Sequence, residues 1–280
     1  MKVQYSKSDQ DYIYLSMPYC EKGSLNTLIN NRFLTVKEII QYALDFLTGL
    51  HYIHTKNLVH FDIKPTNIIL TNSNRAIITD FGLSKYLNDY GFAEQNPVYL
   101  KHVAPERLKG TKVTNLSDIY QAGVTLYRLC NGNECFDNQV NRYKSDIAEA
   151  IKTEQFPDRK YYLPHIPPKL RKIINKSLST EPTERYQTVL EMINDIAKIE
   201  IKSNWVYNVY KDSMTWERES SSTHEEQIKL CDTAKGWDIT GEKIRKSDGN
   251  IRNMRKVCSN GHNSLRKALS QVEKVLRELE

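Results

Sequence analysis

Apolar residues at Ile39, Ile40, Ala43, Leu44, Phe46, Leu47, Leu50 and Ile53 recur at spacings of three and four. That is the period of one buried helix face. Thr35-Val36-Lys37-Glu38 stands before them as a capping box, whose threonine and glutamate side chains each satisfy a free N–H at the helix start. The helix is predicted to end near Lys56-Asn57. Upstream, Tyr12–Met17 alternates and is rich in aromatic and aliphatic residues, which predicts a strand ended by Pro18. Ser24, after Gly23, is a suitable N-cap for a further helix. Ile68-Ile69-Leu70 and Ala76-Ile77-Ile78-Thr79 are short β segments bridged by polar Asn72-Ser73-Asn74, a hairpin pattern. Leu116–Cys130 is apolar on most faces and reads as a central buried helix. Asp118 at its start is a costly charge to bury unless it is hydrogen-bonded.

Past Ile201 the pattern weakens. Ser203–Asp238 mixes tryptophans with polar runs such as Glu219-Ser220-Ser221-Ser222-Thr223 and is expected to be linker with short ordered pieces. Lys243–Lys256 holds six Lys/Arg against one Asp. Such a run would suit RNA or anionic lipid, but a solvated charged face is the commoner explanation, and nucleic acid is not favoured. Leu265, Leu269, Val272, Leu276 and Leu279 then repeat at 4, 3, 4, 3, a heptad seam over residues 262–280. Two heptads are fewer than a coiled coil needs, so packing back on the body and self-association (or capture of a partner helix) stay equally open.

Composition narrows this picture only a little. At 280 residues the chain fits one large domain with an appendage, or two small ones. Five cysteines without a Cys-x-x-Cys pair read as free thiols in a reducing compartment. The start lacks an apolar signal segment and no run approaches 18 apolar residues, so no membrane span is expected. The expected location is cytoplasmic, with nuclear the alternative. A net charge of +6 does not by itself imply nucleic acid.

The candidate chemistry lies between Val59 and Gly82. Asp62 is followed two residues on by Lys64 and five on by Asn67, and the hairpin then delivers Asp80 beside Phe81-Gly82. Folding the hairpin back brings Asp62, Lys64, Asn67 and Asp80 around one small volume. Two carboxylates, an amide oxygen and an ammonium suit magnesium ions and phosphate oxygens. His51 and His54, at i and i+3, have no acidic partner at ligand spacing and read as ordinary helix-end histidines.

In order, His60-Phe61-Asp62 with Asn67, Asp80-Phe81-Gly82 and Ala104-Pro105-Glu106 resemble the three signatures of the eukaryotic-type protein kinases. The separations are family-like, 13 residues from Asn67 to Asp80 and 22 from Gly82 to Ala104. The resemblance covers roughly residues 10 to 199. It implies an α+β kinase-like fold with a mainly helical large lobe, short β-hairpins, and a small lobe reduced to a strand and hinge. The implied segments are 1–22 (remnant strands and hinge), 23–200 (large lobe, closed by a last helix at Gln187–Ile199) and 201–280 (polar, basic tail ending in an amphipathic helix). It further implies ATP and Mg2+ as cofactors and a protein substrate bearing Ser or Thr.

By the same resemblance Asp62 is the base, Lys64 neutralises the transferring phosphoryl group, and Asn67 and Asp80 hold magnesium. Met17, Tyr19 and Cys20 belong to the hinge that holds adenine, with Ile69 as its floor. His60, Phe81, Gly82, Glu106, Asp118 and Arg185 are scaffold, with Glu106 and Arg185 a buried pair. Several positions depart from the pattern. Phe61 replaces the arginine that pairs with a phosphorylated activation segment, so phosphorylation there is not expected to be the main switch. In the expected activation segment, Gly82 to Ala104, Tyr99 stands where serine/threonine kinases place a threonine, and His102 where an aromatic is common. Lys64 carries the serine/threonine pattern and weighs more, because it belongs to the chemistry. Only 11 residues precede Tyr12, without a glycine-rich loop or strand lysine. A pseudokinase or docking module is therefore the alternative reading. A small-molecule phosphotransferase is the third, disfavoured by Ala104-Pro105-Glu106, Asp118 and Arg185.

Overall fold

The structure, a computed structural model, describes residues 4–93, 100–110 and 113–280. It opens on a hairpin of β1 (Tyr5–Ser8) and β2 (Ile13–Ser16). Asp9 Oδ1 closes the turn by accepting the N–H groups of Asp11 (2.9 Å) and Tyr12 (2.7 Å). The sequence predicts a single strand here, and the structure has two. A lone strand leaves its backbone groups unpaired, and Tyr5–Ser8 supplies the partner.

Ser24 Oγ accepts the Thr27 N–H at 3.2 Å and caps α1 (Leu25–Asn31). The capping box opens α2 (Val36–Thr55): Thr35 Oγ1 accepts the Glu38 N–H at 3.3 Å, while the Thr35 N–H donates to Glu38 Oε2 at 3.0 Å. Ile39, Ala43, Phe46, Leu47 and Leu50 form its fully buried stripe. Short strands follow: β3 (Leu58–Val59), β4 (Ile68–Leu70), β5 (Ala76–Ile78) and β6 (Lys85–Tyr86). β4 pairs with β5, Ile68 opposite Ile78, and β3 pairs with β6. Next come α3 (Pro105–Leu108) and α4 (Leu116–Tyr143), the latter broken at Gly132, whose φ is +79°. The buried helix predicted at Leu116–Cys130 is the first arm of α4, with Ile119, Ala122, Val124, Leu126 and Leu129 in the core. α5 (Ile147–Lys152), α6 (Pro168–Ser177) and α7 (Val189–Ala197) complete the helical body.

The expectation of a linker over 203–238 fails. Residues 206–262 form a six-stranded antiparallel sheet: β7 (Val206–Tyr210), β8 (Ser213–Ser221), β9 (His224–Thr233), β10 (Gly236–Arg245), β11 (Ile251–Asn253) and β12 (Ser259–His262). The spatial order is β11-β10-β9-β8-β7, with β12 also on β10. Alternation is masked because the buried face itself carries charge, at Arg218 and Glu226, while the outer face is polar. The serine run that looked like linker lies at the β8–β9 turn.

Helix α8 (Leu265–Glu278) lies on that sheet, with Ala268, Val272, Val275 and Leu276 buried and Leu265, Leu269 and Leu279 packed beside them. The heptad seam is therefore occupied by the chain's own sheet. Sheet and helical body share one core. Tyr207 meets Phe33 edge to face (4.7 Å between ring centres) and packs tilted against Trp216 (4.9 Å), and Arg171 pairs with Glu273 at 3.0 Å. No helix among the described residues is long and apolar enough to cross a membrane.

Candidate active site

The loop between β3 and β4 is held from beneath by α4. Asp118 is fully buried. Its Oδ2 accepts the His60 N–H at 2.8 Å, and its Oδ1 accepts the Phe61 N–H at 2.7 Å. One turn on, Gln121 donates to the Phe61 carbonyl (2.9 Å) and accepts the Ile63 N–H (2.9 Å). His54 Nε2 also bonds Asp118 Oδ2, at 2.8 Å. These contacts hold Phe61 at φ +63°, a region that bulky residues rarely occupy. Its ring is buried with Val59 and Val113, and the Arg107 guanidinium lies 5.0 Å above it.

Held this way, the loop presents Asp62. Its Oδ2 accepts from Lys64 Nζ at 2.8 Å and from Asn67 Nδ2 at 2.7 Å, and Asn67 Nδ2 also donates to the Asp62 carbonyl at 3.0 Å. The β4–β5 hairpin returns the chain to the same place, where the Thr79 N–H donates to the Asn67 carbonyl at 2.8 Å. Asp80 follows at φ +64°, exposed, with Oδ1 accepting the Gly82 N–H at 3.3 Å.

His60 joins the two loops. Its Nδ1 accepts the Asp62 N–H at 3.3 Å and its Nε2 donates to the Thr79 carbonyl at 3.1 Å, which selects the Nε2–H tautomer. The ring sits 5.0 Å from the exposed Phe81 ring. Burial pushes the His60 pKa below its ordinary value, against the pull of Asp118, Asp62 and Asp80. The imidazole is a neutral link between the backbone of Asp62 and that of Thr79.

The chain over residues 20–24 runs beside β4. The Gly23 N–H donates to the Cys20 carbonyl at 3.1 Å, the Leu70 N–H donates to the Gly23 carbonyl at 2.8 Å, and Ser24 bridges to Ile69. Cys20 and Ile69 are half-buried, whereas Met17 and Tyr19 are exposed on the approach. On the opposite side, Arg185 donates to Glu106 through Nη1 (2.9 Å to Oε1) and Nη2 (2.7 Å to Oε2). Ser117 Oγ adds a bond at 2.6 Å to Glu106 Oε1, and Tyr120 lies 5.0 Å below the guanidinium. Burial alone would raise the Glu106 pKa; the Arg185 bonds override it and hold the carboxylate below its usual range. Tyr99 lies outside the described residues.

A family model, the protein kinase domain, matches residues 1–196. This chain belongs to the protein kinase family. It is 31% identical over 193 residues to the serine/threonine-protein kinase PrkC of Bacillus subtilis, covering 67% of this chain and 29% of that protein. Over 189 residues it is 29% identical to the probable serine/threonine-protein kinase PknB of Lactococcus lactis, covering 66% of this chain and 29% of that protein. Over 187 residues it is 30% identical to the serine/threonine-protein kinase ULK3 of Xenopus laevis, covering 63% of this chain and 38% of that protein. The kinase chain thus spans 29% of the length of the first two.

Three residues that grip this kinase's central loop escape a sequence reading. Gln121 carries a legible signal, being a polar residue three positions from Asp118 on a mostly apolar helix. His54 and Arg107 carry none, because their partners Asp118 and Phe61 are 64 and 46 residues away in sequence.

Proposed function

We propose that this chain belongs to an active serine/threonine protein kinase that transfers the γ-phosphoryl group of ATP to a protein hydroxyl. One observation carries the reading: Lys64 and Asn67 converge on a single oxygen of Asp62. In the same loop, His60 links Asp62 to the chain that delivers Asp80. With Oδ2 occupied, Asp62 Oδ1 is the oxygen left to orient a substrate hydroxyl and accept its proton. General-base help of this kind is worth roughly 10²–10⁴-fold. Lys64, within reach of the same carboxylate, places an ammonium where negative charge grows.

Magnesium and nucleotide fit the donor set. Asn67 spends its amide N–H groups on Asp62, so its oxygen faces elsewhere, and Asp80 keeps an exposed carboxylate. No cluster of three His, Cys, Asp or Glu exists among the described residues. That suits a cation that takes one or two protein oxygens and fills its shell with phosphate and water. When bound, Mg2+–ATP supplies the phosphoryl group and neutralises its charge. Met17, Tyr19 and Cys20 would line the adenine edge, with Ile69 beneath it.

Phe61 stands where an arginine would pair with a phosphorylated activation segment, and its ring cannot take up that charge, so phosphatase treatment of the full-length protein is expected to leave most activity. The central test is phosphoryl transfer from labelled ATP to a serine/threonine-rich acceptor by the full-length protein and its Asp62→Asn variant. Loss of roughly 10²-fold or more in rate, with nucleotide binding kept, is expected. Equal activity in the variant, or no Mg2+–ATP binding by the full-length protein, would turn the assignment to a docking module. Phosphotyrosine as the product would overturn the serine/threonine reading.

A further inference from the structure

The face of the C-terminal sheet that α8 covers changes character along its strands. The register sets Met214, Leu230 and Ile239 in one row and Trp216, Ile228 and Gly241 in the next, all apolar. The third row is Arg218, Glu226, Lys243 and Arg252. Arg218 donates to the Leu279 carbonyl at 2.7 Å, so α8 ends over that row. The sheet face continues past it.

Glu226 is buried and ionised. Burial would raise its pKa, but the Arg218 and Lys243 bonds hold it below the usual range. Arg218 reaches its Oε2 at 2.8 Å and Lys243 its Oε1 at 3.3 Å, which spends the one carboxylate in the row. Beyond it opens a cleft of about 820 Å³, floored by Met254, Val257 and Leu279 and walled by Lys243, Arg252, Arg255 and Lys256. A second cleft of about 420 Å³ shares Lys243, Ile251 and Arg252 with it and extends the groove towards Arg245. Among the described residues, Arg252, Arg255 and Lys256 pair with no acidic side chain. Strand β11 bounds the groove, and among the described residues it pairs only with β10, so its outer edge is open. Ile251 is exposed there.

We propose that this groove binds an extended acidic peptide of a partner protein, which adds to the β11 edge as a strand. The open edge supplies main-chain pairing, and alternate side chains of the added strand meet the cationic wall. Charge complementarity selects carboxylate- or phosphate-bearing side chains. Single-stranded nucleic acid fits less well, since neither cleft has a Phe, Tyr or Trp for bases to stack on. A membrane surface fits less well because Ile251 is the one large apolar side chain exposed at the rim.

Fluorescence anisotropy on the full-length protein tests this, with a labelled ten-residue peptide alternating Glu and Val, and its Lys-for-Glu counterpart. The glutamate peptide is expected to bind and to weaken steeply with added salt, while the lysine peptide does not bind. The double variant Arg252→Glu, Arg255→Glu should lose about tenfold or more in affinity. Arg252→Gln with Arg255→Gln serves if charge reversal harms folding, which circular dichroism and melting report. N-methylation at alternate backbone positions of the peptide should also weaken binding. Equal affinity for both peptides, unchanged binding by the variants, or indifference to N-methylation would overturn the proposal. So would binding of oligouridylate RNA or phosphatidylserine vesicles in place of the peptide.

Discussion

Phe61 shows how much the site asks of single residues. Holding a bulky residue in the left-handed region costs on the order of 1–3 kcal/mol. The loop meets that cost with paired bonds from Asp118 and Gln121. Gln121→Leu would leave the Phe61 carbonyl and Ile63 N–H buried without partners, at about 1–3 kcal/mol each. Urea unfolding is expected to show that loss, and on the proposed function kcat should fall more than ATP affinity, because Asp62 is what the loop aims. The Glu106–Arg185 pair is a second such point. Arg185→Leu strands a buried carboxylate and is expected to cost about 3–5 kcal/mol in the same measurement. The motif residues themselves are legible in sequence, because each is a fixed chemical type at a fixed short spacing. Their supports are less so: Gln121 shows only as a polar residue one turn after Asp118, and His54 and Arg107 lie far along the chain from what they hold.

The elements divide by where their signal comes from. Helix α2 and the β4–β5 hairpin are legible, since capping box, apolar stripe and polar turn are all local. Thr35→Ala should lower stability by about 1 kcal/mol, read by thermal melting. The break in α4 is a contact effect. Gly132 adopts φ +79°, and a Cβ there would stand 2.8 Å from the Phe33 ring, which in turn packs on Tyr207. Gly132→Ala is therefore expected to lower the melting temperature, with a cost larger than the roughly 0.4–1 kcal/mol that an unstrained Gly→Ala change gains. A sequence reading that ends the helix near Cys130 has no means of seeing the second arm. The C-terminal sheet is the larger miss: its inner face carries Arg218 and Glu226, and such charges read as solvent-facing until their partners are known.

Across the whole molecule, one core runs from the kinase helices through Tyr207 into the sheet, so a single cooperative unfolding transition is expected. Its pH dependence follows from buried histidines. Burial lowers the pKa of His60, lowers that of His102 well below the ordinary 6.5, and lowers that of His165 to about 4. Each stays neutral when folded and takes up a proton on unfolding. Stability is therefore at its full value above pH 6.5 and falls as acidification passes through that value, continuing towards about pH 4 for His165. Each histidine contributes up to about 1.4 kcal/mol per pH unit. The lowered carboxylates Glu106 and Glu226 begin to lose their contribution only below the ordinary 4.5. Urea midpoints at pH 7.5 and 5 should differ accordingly, and His165→Leu should shrink the difference.

Local order along the chain was enough to determine the kinase family, the α2 helix, the hairpin and the meeting of Lys64 and Asn67 on Asp62. Those signals rest on spacings of a few residues, where covalent geometry alone decides what can meet. Folding decided the rest: the strain held at Phe61, the kink at Gly132, the sheet beyond residue 203 and the cationic groove past α8. Each of these depends on groups brought together from distant positions, and a buried charge or a bent helix declares itself only beside the partner that satisfies it.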